Sequence, residues 1–176
     1  MNVASRLPPE TAATTASTVP RQHNHRIKGK PPRLALIYIG QLVYFVTLCT
    51  LHRQRLLANS GIHETFRHYC ERAEDHNIGV GRYVLMPDHI HLFVRGGLDF
   101  NLGIWIRGLK RAVGAAVLGG KGKGIWQPGF FDHILRSDES YGEKWNYVRN
   151  NPVRAGLVAD ADEWQFQGEI VVVDRV

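Results

Sequence analysis

Tyr83-Val84-Leu85-Met86-Pro87-Asp88-His89-Ile90-His91-Leu92-Phe93-Val94 carries the organisation of this chain. Tyr83 to Met86 is strand-like, Pro87-Asp88 is a turn pair, and the run that follows is again apolar and β-prone. Side chains alternate along a strand, so His89 and His91 point to one face while Ile90, Leu92 and Val94 follow the strand's own alternation. The two imidazoles then stand roughly 6 to 7 Å apart at their roots, twice the strand rise, which lets both converge on one metal ion. The alternative is burial, which demands a polar partner for each ring. On this pair alone both readings stand.

A second constellation lies at Ser140-Tyr141-Gly142-Glu143-Lys144-Trp145-Asn146-Tyr147-Val148-Arg149-Asn150-Asn151-Pro152. Ser140 and Glu143 have capping-box spacing, with Ser137 a rival cap three residues earlier. Tyr141, Trp145 and Val148 recur at i, i+4 and i+7 and predict the buried stripe of a helix. Tyr147 and Asn151 are four apart on a neighbouring stripe. An amide oxygen there could complete a metal site, and a phenol could attack a phosphate. Pro152 biases Asn151 away from helical conformation, so the helix is expected to end there. The bland alternative is a capped surface helix with a tyrosine on its flank.

Three strings in order, MPDHIHLFV, WQPGFFDHILRS and YVRNNPVRAGLV, resemble the single-tyrosine HUH transposases, nearest their REP-associated branch. YFVTLCT at residues 44 to 50 is similar to that family's opening strand. The resemblance spans roughly residues 34 to 158, and three ordered motifs are far more specific than one. It implies a ferredoxin-like HUH endonuclease domain in which His89 and His91 are metal ligands, Tyr147 is the nucleophile and Asn151 is the third ligand. It further implies a divalent cation, Mg2+ or Mn2+, and single-stranded or hairpin DNA as substrate, cleaved and rejoined through a 5′-phosphotyrosine intermediate. Asp88 departs from the pattern, since this branch usually carries Asn there. Asn151 agrees with the REP-associated branch, whereas the insertion-sequence branch usually has Gln.

Length and composition fit one soluble domain of 176 residues, 44% hydrophobic and 10% aromatic, and the order of strands and helices fits an α+β fold, an antiparallel sheet with helices packed on one face. Cys49 and Cys70 form neither a disulfide framework nor a zinc pattern and read as buried free thiols. The apolar stretch from Leu34 to Val46 is interrupted by Gly40-Gln41 and is too short for a bilayer. Residues 1 to 33 show no apolar signal-peptide core, so a cytoplasmic protein without membrane attachment is expected, as a monomer or homodimer. These same residues hold six Lys/Arg and one acidic residue, most of the net charge of +6. They read as a disordered basic tail ahead of a catalytic domain over 34–176.

Within that domain, a helix with Leu102, Trp105, Ile106, Leu109, Val113 and Val117 inward is expected to place Arg107, Lys110 and Arg111 outward. It runs into the basic loop with Lys121 and Lys123, then Trp126, Phe130 and Phe131. Charge beside aromatics suits single-stranded DNA, where phosphates need cations and bases need stacking surfaces. The alternatives are a solvated face for the basic residues and core packing for at least one phenylalanine. Metal proximity or a nearby cation such as Lys144, one turn before Tyr147, is expected to favour the phenolate, and Lys144 is a further expected contact to the nucleic acid. Further expectations are a strand near Val43 to Leu51, a helix capped at Ser60, a strand from Phe131 to Leu135 and a late strand over Ile170 to Val173.

Two rival functions follow. A histidine-triad nucleotide hydrolase also alternates histidines on a strand, but it needs a further histidine where Phe93 stands. A domesticated, inactive descendant would retain the fold to bind DNA repeats.

Overall fold

The structure is a computed structural model and describes residues 42–97, 99–119, 124–135 and 141–173. The proposed boundary at 33/34 and the basic tail lie outside them, as do Ser137, Ser140, Lys121 and Lys123.

The strands are β1 Leu42–Cys49, β2 Ile78–Leu85, β3 His89–Gly96, β4 Phe131–Ile134 and β5 Gln167–Glu169. The helices are α1 Ser60–Glu71, α2 Leu102–Val117, α3 Tyr141–Arg149 and the one-turn α4 Asn151–Arg154. All strand pairs are antiparallel, in the order β4-β1-β3-β2-β5. With α1 between β1 and β2 and α2 between β3 and β4, this is the ferredoxin-like arrangement with one added edge strand.

Pairing divides the side chains between two faces. Tyr44, Val46 and Leu48 of β1 lie opposite Val94, Leu92 and Ile90 of β3, and α1 and α2 cover this side. Phe66 of α1 packs on Tyr83 of β2 with ring centroids 4.8 Å apart, and Phe100, just before α2, meets Tyr44 at 6.1 Å. The other face carries Phe45, Thr47 and Cys49 opposite Phe93, His91 and His89. There α3 lies against the sheet, with Tyr141 4.4 Å from Phe93, so helices cover both faces of the sheet and not one as expected. The stripe of α3 is buried at Tyr141 and Val148 and half-buried at Trp145.

A β-bulge anchors α3. The β2–β3 register shifts between Val80 and Tyr83, so Gly81 and Arg82 together oppose Phe93. The Arg82 N–H donates to Tyr141 Oη over 3.1 Å. A Cβ at Gly81 would fall 2.1 Å from Val173 Cγ2 and 2.8 Å from Tyr141 Oη, so glycine is what admits the helix.

Several boundaries differ from expectation. Asn59, not Ser60, caps α1, because its side chain accepts from the Ile62 N–H at 3.0 Å. A carboxamide one position earlier reaches the orphan donor. The apolar string Ile170 to Val173 is preceded by the last strand and does not form it: β5 is Gln167–Glu169, paired with Arg82 to Val84. Gln167, Gly168 and Glu169 give no β signal of their own; their pairing with the edge of β2 decides. β2 begins at Ile78, well before Tyr83, since its two glycines mask a buried strand. Cys70 is fully buried and burial pushes its thiol well up. Cys49 is half-buried on the histidine face, where its sulfur accepts from Arg53 Nη1 at 3.1 Å, so it is no core thiol.

Candidate active site

His89 and His91 stand on β3 opposite Cys49 and Thr47, with ring centroids 4.7 Å apart and ring planes at 83°. Each ring is held through Nδ1. His89 Nδ1–H donates to Asp88 Oδ1 at 2.7 Å, since an ionised carboxylate only accepts. Asp88 Oδ2 in turn binds Arg53 Nε at 2.7 Å. His91 Nδ1 pairs with Thr47 Oγ1 at 2.8 Å, and its ring stacks on Phe45 with centroids 5.4 Å apart. With the Thr47 hydroxyl as acceptor, both histidines carry their free lone pair on Nε2. Fixing Nδ1 in this way is how proteins orient imidazole ligands. Arg53 reaches Asp88 from left-handed backbone: His52 and Arg53 have φ of 54° and 56°. Consecutive non-glycine residues in that region mark stored strain.

Electrostatics keep these rings neutral. Burial lowers the pKa of both, and the charges of His89, Arg53 and Arg154 help push His91 down to about 3. Burial alone would raise Asp88, but its hydrogen bond to His89 and the charges of His89 and Arg53 outweigh it and leave the carboxyl lowered. An unfolded histidine takes a proton near pH 6.5, whereas folded His91 resists until about pH 3. Stability of the metal-free chain is therefore expected to fall as pH drops through that window, by up to about 1.4 kcal/mol per pH unit for each histidine involved. Urea unfolding from pH 7 to pH 4 measures it, and His91→Gln should show the shallower slope. A variant as acid-sensitive as wild type would place the proton uptake elsewhere.

Tyr147 and Asn151 flank a break in the helix. Asn150, with φ −82° and ψ 2°, separates α3 from α4, and Pro152 begins the new turn. Pro152 thus resets the helix for four residues where an end was expected. Tyr147 is 64% exposed. Arg154 joins the two residues across the break: its guanidinium stands 4.1 Å from the Tyr147 ring centroid, Nη1 donates to Tyr147 O at 2.9 Å, and Nη2 donates to Asn151 Oδ1. Arg154 also contributes to the lowered pKa of His91, which puts its charge within reach of the imidazoles. Sequence reasoning missed Arg154, although its place seven residues after Tyr147 and three after Asn151 could have flagged it.

Among the described residues no group of three or more His, Cys, Asp or Glu could hold a metal ion. Two neutral imidazoles, an amide oxygen and water nevertheless fit one dication. Asp88 is turned away from that position and serves the ring behind it.

The other expected DNA contacts are scattered. Arg107 and Arg111 are exposed on α2, beyond the sheet face that carries the histidines, beside a groove of about 620 Å3 shared with Tyr69 and Phe100. Lys110 does not join them outward. Its ammonium donates to Gln127 O at 2.9 Å and to Gly129 O, and lies 5.7 Å from the Trp126 ring centroid; burial lowers its pKa. Two carbonyls of the 124–130 loop capture it because α2 turns that flank toward the loop. Trp126 is half-buried and donates Nε1–H to Lys110 O at 2.8 Å. Phe130 packs against the core, whereas Phe131 is 60% exposed. Lys144 stands on the histidine side with Nζ 5.8 Å from the Phe45 ring centroid, over the ring that stacks on His91.

A ferredoxin-like sheet with a same-face imidazole pair and a tyrosine helix on that face defines the HUH class. The model of the family described as Transposase IS200 like matches residues 38–151, and the chain belongs to that family. It is similar to the REP-associated tyrosine transposase of Escherichia coli K12, with 28% identity over 133 residues, 73% of this chain and 77% of the relative. A solved structure of a REP-associated tyrosine transposase bound to a REP hairpin superposes with a TM-score of 0.61 at 25% identity, covering 74% of this chain and 78% of that one.

Proposed function

We propose that this transposase-family protein is a site-specific single-strand DNA endonuclease and strand transferase acting on hairpin-containing DNA. The carrying observation is the imidazole pair, each ring fixed through Nδ1, on the sheet face against which the Tyr147 helix lies. His89, His91 and Asn151 would hold Mg2+ or Mn2+. When bound, the cation polarises the scissile phosphate and favours departure of the 3′ oxygen. Tyr147 Oη attacks the phosphorus, and the proton that it gives up is balanced by the one that the departing 3′ oxygen takes up. A Tyr–O–P bond forms as the P–O3′ bond breaks, leaving a 5′-phosphotyrosine and a free 3′ hydroxyl. Because the new linkage is again a phosphodiester, a 3′ hydroxyl can reverse the step and rejoin strands. The hairpin held by the related solved structure supports the substrate class. Incubation with REP-type hairpin DNA and Mg2+ tests the reading: a protein–DNA adduct that survives denaturing electrophoresis is expected. DNA binding without any adduct would favour the inactive descendant.

Arg107 and Arg111 are the exposed cations of α2 and, among the described residues, have no carboxylate partner. Each phosphate contact to a single strand adds roughly 0.7 to the slope of log affinity against log salt. Neutralising both to Gln is expected to flatten that slope by about 1.4. An unchanged slope would confine the strand to the histidine face.

A further inference from the structure

Tyr147 and Asn151 belong to different helices, so helical hydrogen bonding does not fix one relative to the other. Tyr147 O lies in the last turn of α3, where carbonyls lack a partner within the helix. Arg154 supplies that partner through Nη1, stands over the phenol ring with Cζ 4.1 Å from its centroid, and places Nη2 on Asn151 Oδ1. One rigid fork thus touches the nucleophile's backbone, its ring and the amide. The residue is exposed, and among the described residues no carboxylate neutralises it.

We propose that Arg154 is a positioning residue that splints Tyr147 to Asn151 and yields the Asn151 oxygen to the arriving cation. This rests on the metal reading given above. A guanidinium and a dication on one carboxamide oxygen repel each other, so coordination of Oδ1 displaces Nη2. The released donor points from the edge of the site, where a phosphate is the natural anion for a guanidinium. Nη1 and the ring contact keep their hold on Tyr147, so the phenol stays aligned while the amide changes partner. Lysine, with one compact ammonium, cannot make both contacts in the same plane.

The consequence is an affinity that rises on mutation, which damage to the fold does not produce. In Arg154→Met, calorimetric titration with Mn2+ is expected to show binding about 3- to 10-fold tighter than wild type, because Asn151 no longer loses a hydrogen bond to a charged donor. With saturating Mn2+ and hairpin DNA, adduct formation should slow at least tenfold while DNA affinity changes less than threefold. Should Arg154→Met fail to fold by circular dichroism, Arg154→Lys carries the test with the same direction for Mn2+. Loss of Mn2+ binding in the His89→Ala/His91→Ala double variant, with unchanged or weaker binding in the Arg154 variant, overturns the handover alone. Undiminished Mn2+ binding in the histidine double variant overturns the metal reading and this inference with it.

Discussion

Tyr147→Phe is expected to eliminate the covalent protein–DNA adduct, a loss on the order of 1000-fold or more, and to leave hairpin affinity within about threefold of wild type. The ring is 64% exposed, and among the described residues its hydroxyl has no partner, so the substitution removes the phenol oxygen and little else. Phenylalanine still offers a face to the Arg154 guanidinium. Tyr141→Phe is the informative control. Its hydroxyl accepts the Arg82 N–H freed by the β2 bulge, and deleting it strands that donor at a cost of about 1 to 3 kcal/mol. Tyr141→Phe should therefore melt earlier yet still form the adduct. Denaturing gels and thermal melts on the two variants decide the assignment, and the reverse pattern would make Tyr141 the nucleophile.

The histidine variants carry the second large effect. His89→Ala and His91→Ala should each weaken Mn2+ binding by about two orders of magnitude or more and abolish cleavage, with DNA binding largely kept. The two should differ in stability. His91 stacks on Phe45 and bonds Thr47, so its removal opens a cavity and leaves a hydroxyl without its partner. His89 is tied to the turn residue Asp88, and its loss should cost less. Equilibrium unfolding beside Mn2+ titration separates the effects. Metal binding of wild-type strength in either alanine variant would remove that imidazole from the ligand set.

The sheet was legible where local patterns and burial agree. The alternation from His89 to Val94 fixed both strand and faces, and the i, i+4, i+7 spacing of Tyr141, Trp145 and Val148 located a helix whose first and last members are indeed buried. What stayed hidden depends on contacts distant in sequence. Glu169 becomes part of a strand only because Arg82 offers it an edge, and Lys110 is captured by carbonyls 17 and 19 residues on. Periodicity marks a flank as polar without saying what it meets. At the site, the histidines announce themselves by spacing, but Asp88, Thr47 and Arg53 behind them do not, since their roles arise from register and from a left-handed turn. Asp88 in particular shows from sequence only as a carboxylate beside the histidine pair; the fold turns it to the far side of His89, on Nδ1.

The hairpin joining β2 to β3 places two residues, Pro87 and Asp88, between Met86 and His89, whose backbones are bonded at 2.8 Å. The histidines owe their side of the sheet to that count. One extra residue retained within β3 would invert its parity and press both imidazoles against α1 and α2, with both histidines still encoded. Two extra would restore the side but carry the pair one pleat, about 7 Å, along the strand and away from Thr47. The bulge at Gly81-Arg82 shows where such a surplus can be housed: in β2, upstream of the turn, where it shifts β2 against β3 and leaves β3 in phase with β1. Asp88 orients His89 by its identity, but the side of the sheet on which both imidazoles stand is set by the number of residues in the turn.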